Sequence, residues 1–199
     1  MRTEIEAKFL NVDFDDIRRK LTALGGVCEQ PMRLMRRVVF EVPQSPHKGF
    51  DFVRVRDEGD KVTLTYKHFH NEDVISGVTE HETTVGDFDA MVELLKIFGL
   101  EYKSLQESHR ETWRLGDVEV VLDEWPWLNP YIEIEGVSER HVEDVAKKLG
   151  FSWKDAVFGP TPQAYQAQYP DGDAAQLINV PRVAFDDPIA DIISGAESE

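Results

Sequence analysis

The chain predicts an α+β fold: an eight-stranded antiparallel β-barrel with helices packed on its outside. Three observations predict it. About eight segments alternate polar and apolar residues with period two, the pattern of strands with one apolar face. Three further segments carry helix caps and apolar stripes at helical spacing. The helices must cover the apolar strand faces, which leaves the polar faces to meet one another inside a closed sheet. Charge at the centre of a barrel is expensive unless it is paired, hydrated or bound to ligand.

The first strand is Glu4-Ile5-Glu6-Ala7-Lys8. Its charged residues lie at i, i+2 and i+4 and share one face, with Ile5, Ala7 and Phe9 on the other. Asp13 caps a helix to about Leu24, with Asp15 and Asp16 in the first turn and Gly25-Gly26 as the stop. Val27 to Val42 reads as extended and Pro43 to Gly49 as a loop. Phe50–Asp57 and Lys61–Phe69 form a hairpin about Glu58-Gly59-Asp60. Arg54 and Arg56 alternate with Val53 and Val55, and Thr63, Thr65 and Lys67 with Leu64 and Tyr66. Val74–Val85 is the next strand; Glu80 and Glu82 either line the barrel or face solvent.

Asp87 caps a second helix to Phe98, with Met91, Leu94, Leu95 and Phe98 on its stripe. Glu101–Leu115 and Val118–Glu124 pair through Gly116-Asp117, and Trp125 to Pro130 reads as a stiff aromatic loop packed at the barrel rim. Tyr131–Gly136 is the last strand, carrying Glu133 and Glu135. Ser138 caps a third helix ending at Gly150, and Thr161-Pro162 opens a short one to Tyr169. The expected division is a barrel domain over residues 1–170 and an acidic tail over 171–199. That tail has seven acids against Arg182 alone and reads as loosely attached, with Val180–Phe185 and Ile189–Ile193 able to dock locally.

Composition narrows the function. The net charge of −16 argues against nucleic acid as a partner, because phosphate-backbone affinity rests on Lys and Arg. No apolar run approaches the roughly 20 residues of a membrane span. The N-terminus opens into a charged strand rather than a signal peptide, and the lone Cys28 suits a reducing cytoplasm as a buried small hydrophobe. The expected setting is cytoplasmic, with no membrane partner.

An acidic protein still binds a small polyanion if its cations are gathered locally. The inward set places acids on the first and last two strands (Glu4, Glu6, Asp123, Glu133, Glu135) and cations on the first, middle and sixth (Lys8, Arg54, Arg56, Lys67, Arg110). Carboxylate oxygens suit Mg²⁺ or Mn²⁺, and guanidinium forks suit phosphate. A metal wall facing a phosphate wall suits a polyphosphate–metal complex. His68, His70 and His81 lack the company a zinc site needs.

Glu4-x-Glu6-x-Lys8, then Arg54-x-Arg56, Thr65-Tyr66-Lys67, Arg110, Asp123 and Glu133-Ile134-Glu135 in that order, resembles the CYTH superfamily, the triphosphate tunnel metalloenzymes. The resemblance spans roughly Met1 to Tyr169 and implies an eight-stranded tunnel for a triphosphate and a divalent metal. It implies that Glu4, Glu6, Glu133, Glu135 and Asp123 hold metal, and that Lys8, Arg54, Arg56, Lys67 and Arg110 hold the triphosphate. Family members are often dimers. The chain departs from the pattern at Ser108-His109-Arg110, where a Lys is common, so one cation is either missing or supplied by His109 or His81. It departs again at Trp125-Pro126-Trp127-Leu128-Asn129-Pro130 and at His68-Phe69-His70. The expected activity is metal-dependent hydrolysis of tripolyphosphate or an organic triphosphate such as thiamine triphosphate. Alternatives are cyclisation of ATP to cyclic AMP and a binding module without catalysis. No general base is evident.

Overall fold

The computed structural model describes residues 2–42, 50–70 and 75–195. The strands are β1 (Arg2–Glu4), β2 (Glu6–Leu10), β3 (Val27–Glu41), β4 (Phe50–Asp57), β5 (Val62–Phe69), β6 (Val78–Val85), β7 (Glu101–Leu115), β8 (Val118–Trp125), β9 (Leu128–Glu135) and the short β10 (Arg182–Val183). Their order in the sheet is β1-β6-β5-β4-β3-β7-β8-β9-β2, with β10 beside β7. β1 and β2 are one strand interrupted at Ile5. Its first half pairs with β6 (Thr3 opposite Thr79) and its second with β9 (Lys8 opposite Glu133), so the sheet returns to its own beginning. Counted so, eight antiparallel strands enclose a lumen, as expected. The interruption leaves a seam beside β2, which Val157 fills by exchanging two 2.9 Å backbone hydrogen bonds with Lys8.

The outer faces are covered by helices whose caps match the sequence. α1 (Phe14–Ala23) is capped by Asp13, whose carboxylate accepts from the Asp15 and Asp16 amides. α3 (Glu139–Leu149) is capped by Ser138 and ends at Gly150 in the left-handed region, φ 94°. Ile17 and Leu21 of α1, with Val142, Val145, Ala146 and Leu149 of α3, bury Ala7, Phe9, Val120, Leu122, Ile132 and Ile134. Each large side chain buried there contributes roughly 1.5–3 kcal/mol. α2 (Phe88–Ile97) covers Val38, Phe40 and Val55 on the opposite flank.

Several expectations need correction. The buried stripe of α2 is Phe88, Val92 and Leu95, while Leu94 and Phe98 are exposed. The helix touches the barrel along a narrow i, i+4, i+7 line, and its apolar width exceeds that contact. Trp125 to Pro130 is no loop: β8 runs through Trp125, β9 starts at Leu128, and Pro126-Trp127 is a tight turn with Trp127 at φ 65°. Cys28 is exposed, because the start of β3 projects past the covered sheet and is bulged between Cys28 and Arg33. The 43–49 loop and Val74 lie outside the described residues, and the strand expected from Val74 begins only at Val78, after a turn at Ile75-Ser76.

Beyond α3 the chain forms α4 (Thr161–Gln168), a 3-10 turn at Ala174–Asn179, β10 and α5 (Asp191–Ser194). Composition suggests loose attachment after Asp171, with two stretches able to dock. Ala174, Leu177, Val183 and Ile193 are buried against Trp125, Leu128, Tyr131, Ala164 and Tyr165. Among the described residues, no helix is long and apolar enough to cross a membrane.

Candidate functional site

The lumen is a cavity of about 1080 Å³. Inward residues follow from strand parity, so Arg54 and Arg56 on β4, Lys67 on β5 and Arg110 on β7 all reach it, as do Glu4, Glu6, Lys8, Glu133 and Glu135. Glu80 and Glu82 also line it, resolving the alternative that their alternation leaves open. Nine of the ten residues singled out from sequence thus converge on one cavity, from strands far apart in the chain. The tenth, Asp123, is 0 % exposed and lies behind Arg110.

On one wall, acids and bases are paired. Lys8 Nζ donates to Glu6 Oε1 at 2.7 Å and to the Gly159 carbonyl at 2.7 Å, and lies 3.3 Å from Glu133. Lys67 Nζ lies 2.7 Å from both oxygens of Glu4 and 3.6 Å from Glu80. Arg110 Nε donates to Asp123 at 2.6 Å, and its Nη2 donates to the other Asp123 oxygen and, at 2.9 Å, to Glu133. Burial alone would lower the Lys8 pKa, yet Glu6 and Glu133 together hold it above the ordinary lysine value. Burial would likewise raise Glu133, but Lys8 and Arg110 overcome it and hold that carboxyl at about 2. Glu6 moves the other way: burial, reinforced by Glu133 and Glu4, raises its pKa against the pull of Lys8. One ammonium shared by two buried carboxyls ionises the better-supported one, and Glu133 has Arg110 as a second partner.

The opposite wall carries guanidinium groups in excess. Arg54 Nη2 donates to Thr65 Oγ1 at 3.2 Å and lies 3.6 Å from Glu82, while its Nε is buried without a hydrogen-bond partner among the described residues. Burial and the neighbouring Arg56 push Arg54 down to about 10. Arg56 is held by Glu58, which also accepts from Thr63. Arg37 of β3 joins them, and so does Arg33, whose Nε donates to the Glu58 carbonyl at 3.0 Å. Sequence reasoning missed both, although Arg33 and Arg37 share the parity of a long strand. That strand carries Arg at 33, 36 and 37, so parity alone does not say which of them face inward.

One end of the cavity turns apolar, lined by Val39, Phe52, Phe69 and Trp125 together with Leu177 and Ile178 of the C-terminal segment. Neither expected substitute cation serves: His109 points out of the barrel, pairing with Glu124 and stacking on Phe185, and His81 is exposed. Among the described residues, no three His, Cys, Asp or Glu side chains converge closely enough to hold a metal in this arrangement.

The CYTH domain model matches residues 2–157. A solved protein of Pyrococcus horikoshii is 29% identical and superposes with a TM-score of 0.64 over 77% of this chain and 93% of its own. A Vibrio parahaemolyticus protein named as an adenylate cyclase candidate, 12% identical, superposes at 0.69 over 82% of this chain and 97% of its own. A Hippeastrum protein, described as an adenylyl cyclase candidate with a dominant triphosphatase activity, is 17% identical and superposes at 0.51 over 79% and 91%. Among curated proteins, none matches.

Proposed function

The chain belongs to the CYTH domain family, and from that premise we propose that its lumen binds a triphosphate and hydrolyses it with the help of Mg²⁺ or Mn²⁺. The observation that carries this reading is the division of one buried cavity into a carboxylate-bearing wall and a wall with surplus guanidinium charge. Buried cations without full compensation favour an anion, and guanidinium forks match phosphate oxygens.

In this proposal Arg54, Arg56, Lys67, Lys8 and Arg110 hold the phosphates. Glu4, Glu6, Glu133 and Glu135 would hold the metal. Their all-oxygen chemistry fits a hard divalent cation. When bound, the metal supplies Lewis-acid neutralisation of phosphoryl oxygens. Lys8 and Lys67 hold three of these acids, and those carboxylates would be free for the metal where the ammonium groups bind phosphate instead. Asp123, grouped with the metal ligands from sequence, keeps both oxygens on Arg110 and orients that guanidinium toward the phosphates. Arg54, Arg56 and Arg110 then oppose the charge that develops on the transferred phosphoryl group.

Incubation with tripolyphosphate, thiamine triphosphate and ATP, each with Mg²⁺ or Mn²⁺, tests the reading. Release of orthophosphate from at least one is expected. Cyclic AMP with pyrophosphate from ATP would establish the cyclase instead. Tight binding without turnover under either metal would leave a binding module, and no binding at all would defeat the proposal.

A further inference from the structure

We infer that Arg37 is a further phosphate-binding residue of this lumen, held ready by neutral partners so that its charge is left for the ligand. The inference rests on the triphosphate reading above.

Arg37 stands on β3 in register with Arg56 on one side and Gln106 on the other. Its Nε donates to Gln106 Oε1 at 2.8 Å, and its guanidinium carbon lies 4.4 Å over the Trp125 ring. Gln106 is itself fixed, because its amide donates to Ser104 Oγ at 3.1 Å and that hydroxyl donates to the Val180 carbonyl at 2.6 Å. A chain of neutral hydrogen bonds therefore runs from the docked C-terminal segment to this one side chain. Stacking on an indole and one hydrogen bond at Nε fix the plane of the guanidinium.

The cations singled out from sequence behave differently. Lys8, Lys67, Arg110, Arg54 and Arg56 each lie within 4.0 Å of a carboxylate. Arg37 forms no ion pair among the described residues, and no other hydrogen bond engages it there. Both terminal nitrogens remain to fork two oxygens of a phosphate. Burial, with Arg54 and Arg56 nearby, pushes Arg37 down to about 9, so an arriving anion relieves a repulsion that folding has built in. Arg37 sits where the guanidinium wall meets the apolar end at Trp125, so the phosphate it grips is the one nearest the end lined by the C-terminal segment.

Calorimetric titration of the full chain with inorganic tripolyphosphate tests the assignment. Arg37→Gln is expected to weaken binding about 10- to 100-fold, the range for a lost hydrogen-bonded charge. Arg37→Lys should recover only part of that loss. The thermal midpoint of Arg37→Gln should stay level or rise. Because the guanidinium lies over Trp125, tripolyphosphate should also change the indole fluorescence of the wild type, and that response should vanish in both Arg37→Gln and Trp125→Phe. Gln106→Glu supplies a second variant in case Arg37→Gln folds poorly: it sets a carboxylate beside an otherwise unchanged Arg37. It should weaken tripolyphosphate at least tenfold, with little further loss in the Arg37→Gln/Gln106→Glu double variant. Wild-type binding of tripolyphosphate that Arg37→Gln leaves within twofold overturns the role of Arg37 alone. A wild type that binds neither tripolyphosphate nor any triphosphate ester overturns the triphosphate reading with it.

Discussion

The two walls of the lumen carry similar side chains in opposite circumstances. On the wall built by β2, β7, β8 and β9, each buried charge has an opposite: Lys8 with Glu6 and Glu133, Arg110 with Asp123 and Glu133. On the wall built by β3 and β4, among the described residues, Arg54 keeps a buried nitrogen without a partner and Arg37 has neutral partners alone. The first wall is already balanced within the folded chain. The second is arranged for something the chain does not contain. Substitutions on the first should therefore be felt in stability as well as in binding, and on the second mainly in binding.

The largest effect is expected at Asp123. Asp123→Ala removes the main partner of a buried guanidinium and should cost about 3–5 kcal/mol, the usual penalty for breaking a buried ion pair from one side. Urea unfolding should show it as a fall in midpoint at unchanged slope. A loss below about 1 kcal/mol would erase the distinction between the walls.

Next come Arg54→Ala and Arg56→Ala. Tripolyphosphate affinity should fall roughly 10- to 100-fold in each. Stability should change by less than about 1 kcal/mol for Arg54→Ala, and by more for Arg56→Ala, which strips the buried Glu58 of its main partner and leaves it Thr63 and Lys61. If both unfold the protein and leave residual activity unchanged, they do not form a phosphate wall.

The smallest effect sharpens the comparison by pH. Glu133 sits at about 2 against an ordinary 4.5, so the folded state holds its proton less tightly than the unfolded chain. Its contribution is fully present above pH 4.5 and drains away as the pH falls from 4.5 toward 2. Glu133→Gln should flatten that part of the stability–pH curve. An acid limb equally steep in the variant would show that Lys8 and Arg110 do not hold Glu133 ionised.

Local rules made much of this legible in advance. Asp13, Asp87 and Ser138 each cap the helix that their position suggests, because capping needs only a short polar side chain and the next few amides. Strand parity placed Glu4, Glu6, Lys8, Arg54, Arg56, Lys67 and Arg110 on the lumen side, since alternation is a property of each strand by itself. What stayed illegible depends on contacts between distant segments. Leu94 and Phe98 look as buried as Leu95 until the barrel shows how narrow its contact with α2 is. Arg37 cannot be told from Arg36 until Gln106 and Trp125 arrive from β7 and β8 to hold it.

Sequence by itself determined the element types, the polar and apolar sides of each strand, and hence that a barrel of this chain must be charged within. Only the tertiary structure decided how those charges are shared: that Asp123 serves Arg110, that Lys8 is divided between two acids, and that Arg37 rests on Gln106 and Trp125. Period and propensity are written along one strand. Electrostatic pairing falls off over a few ångströms and depends on which strands become neighbours, which no single segment records.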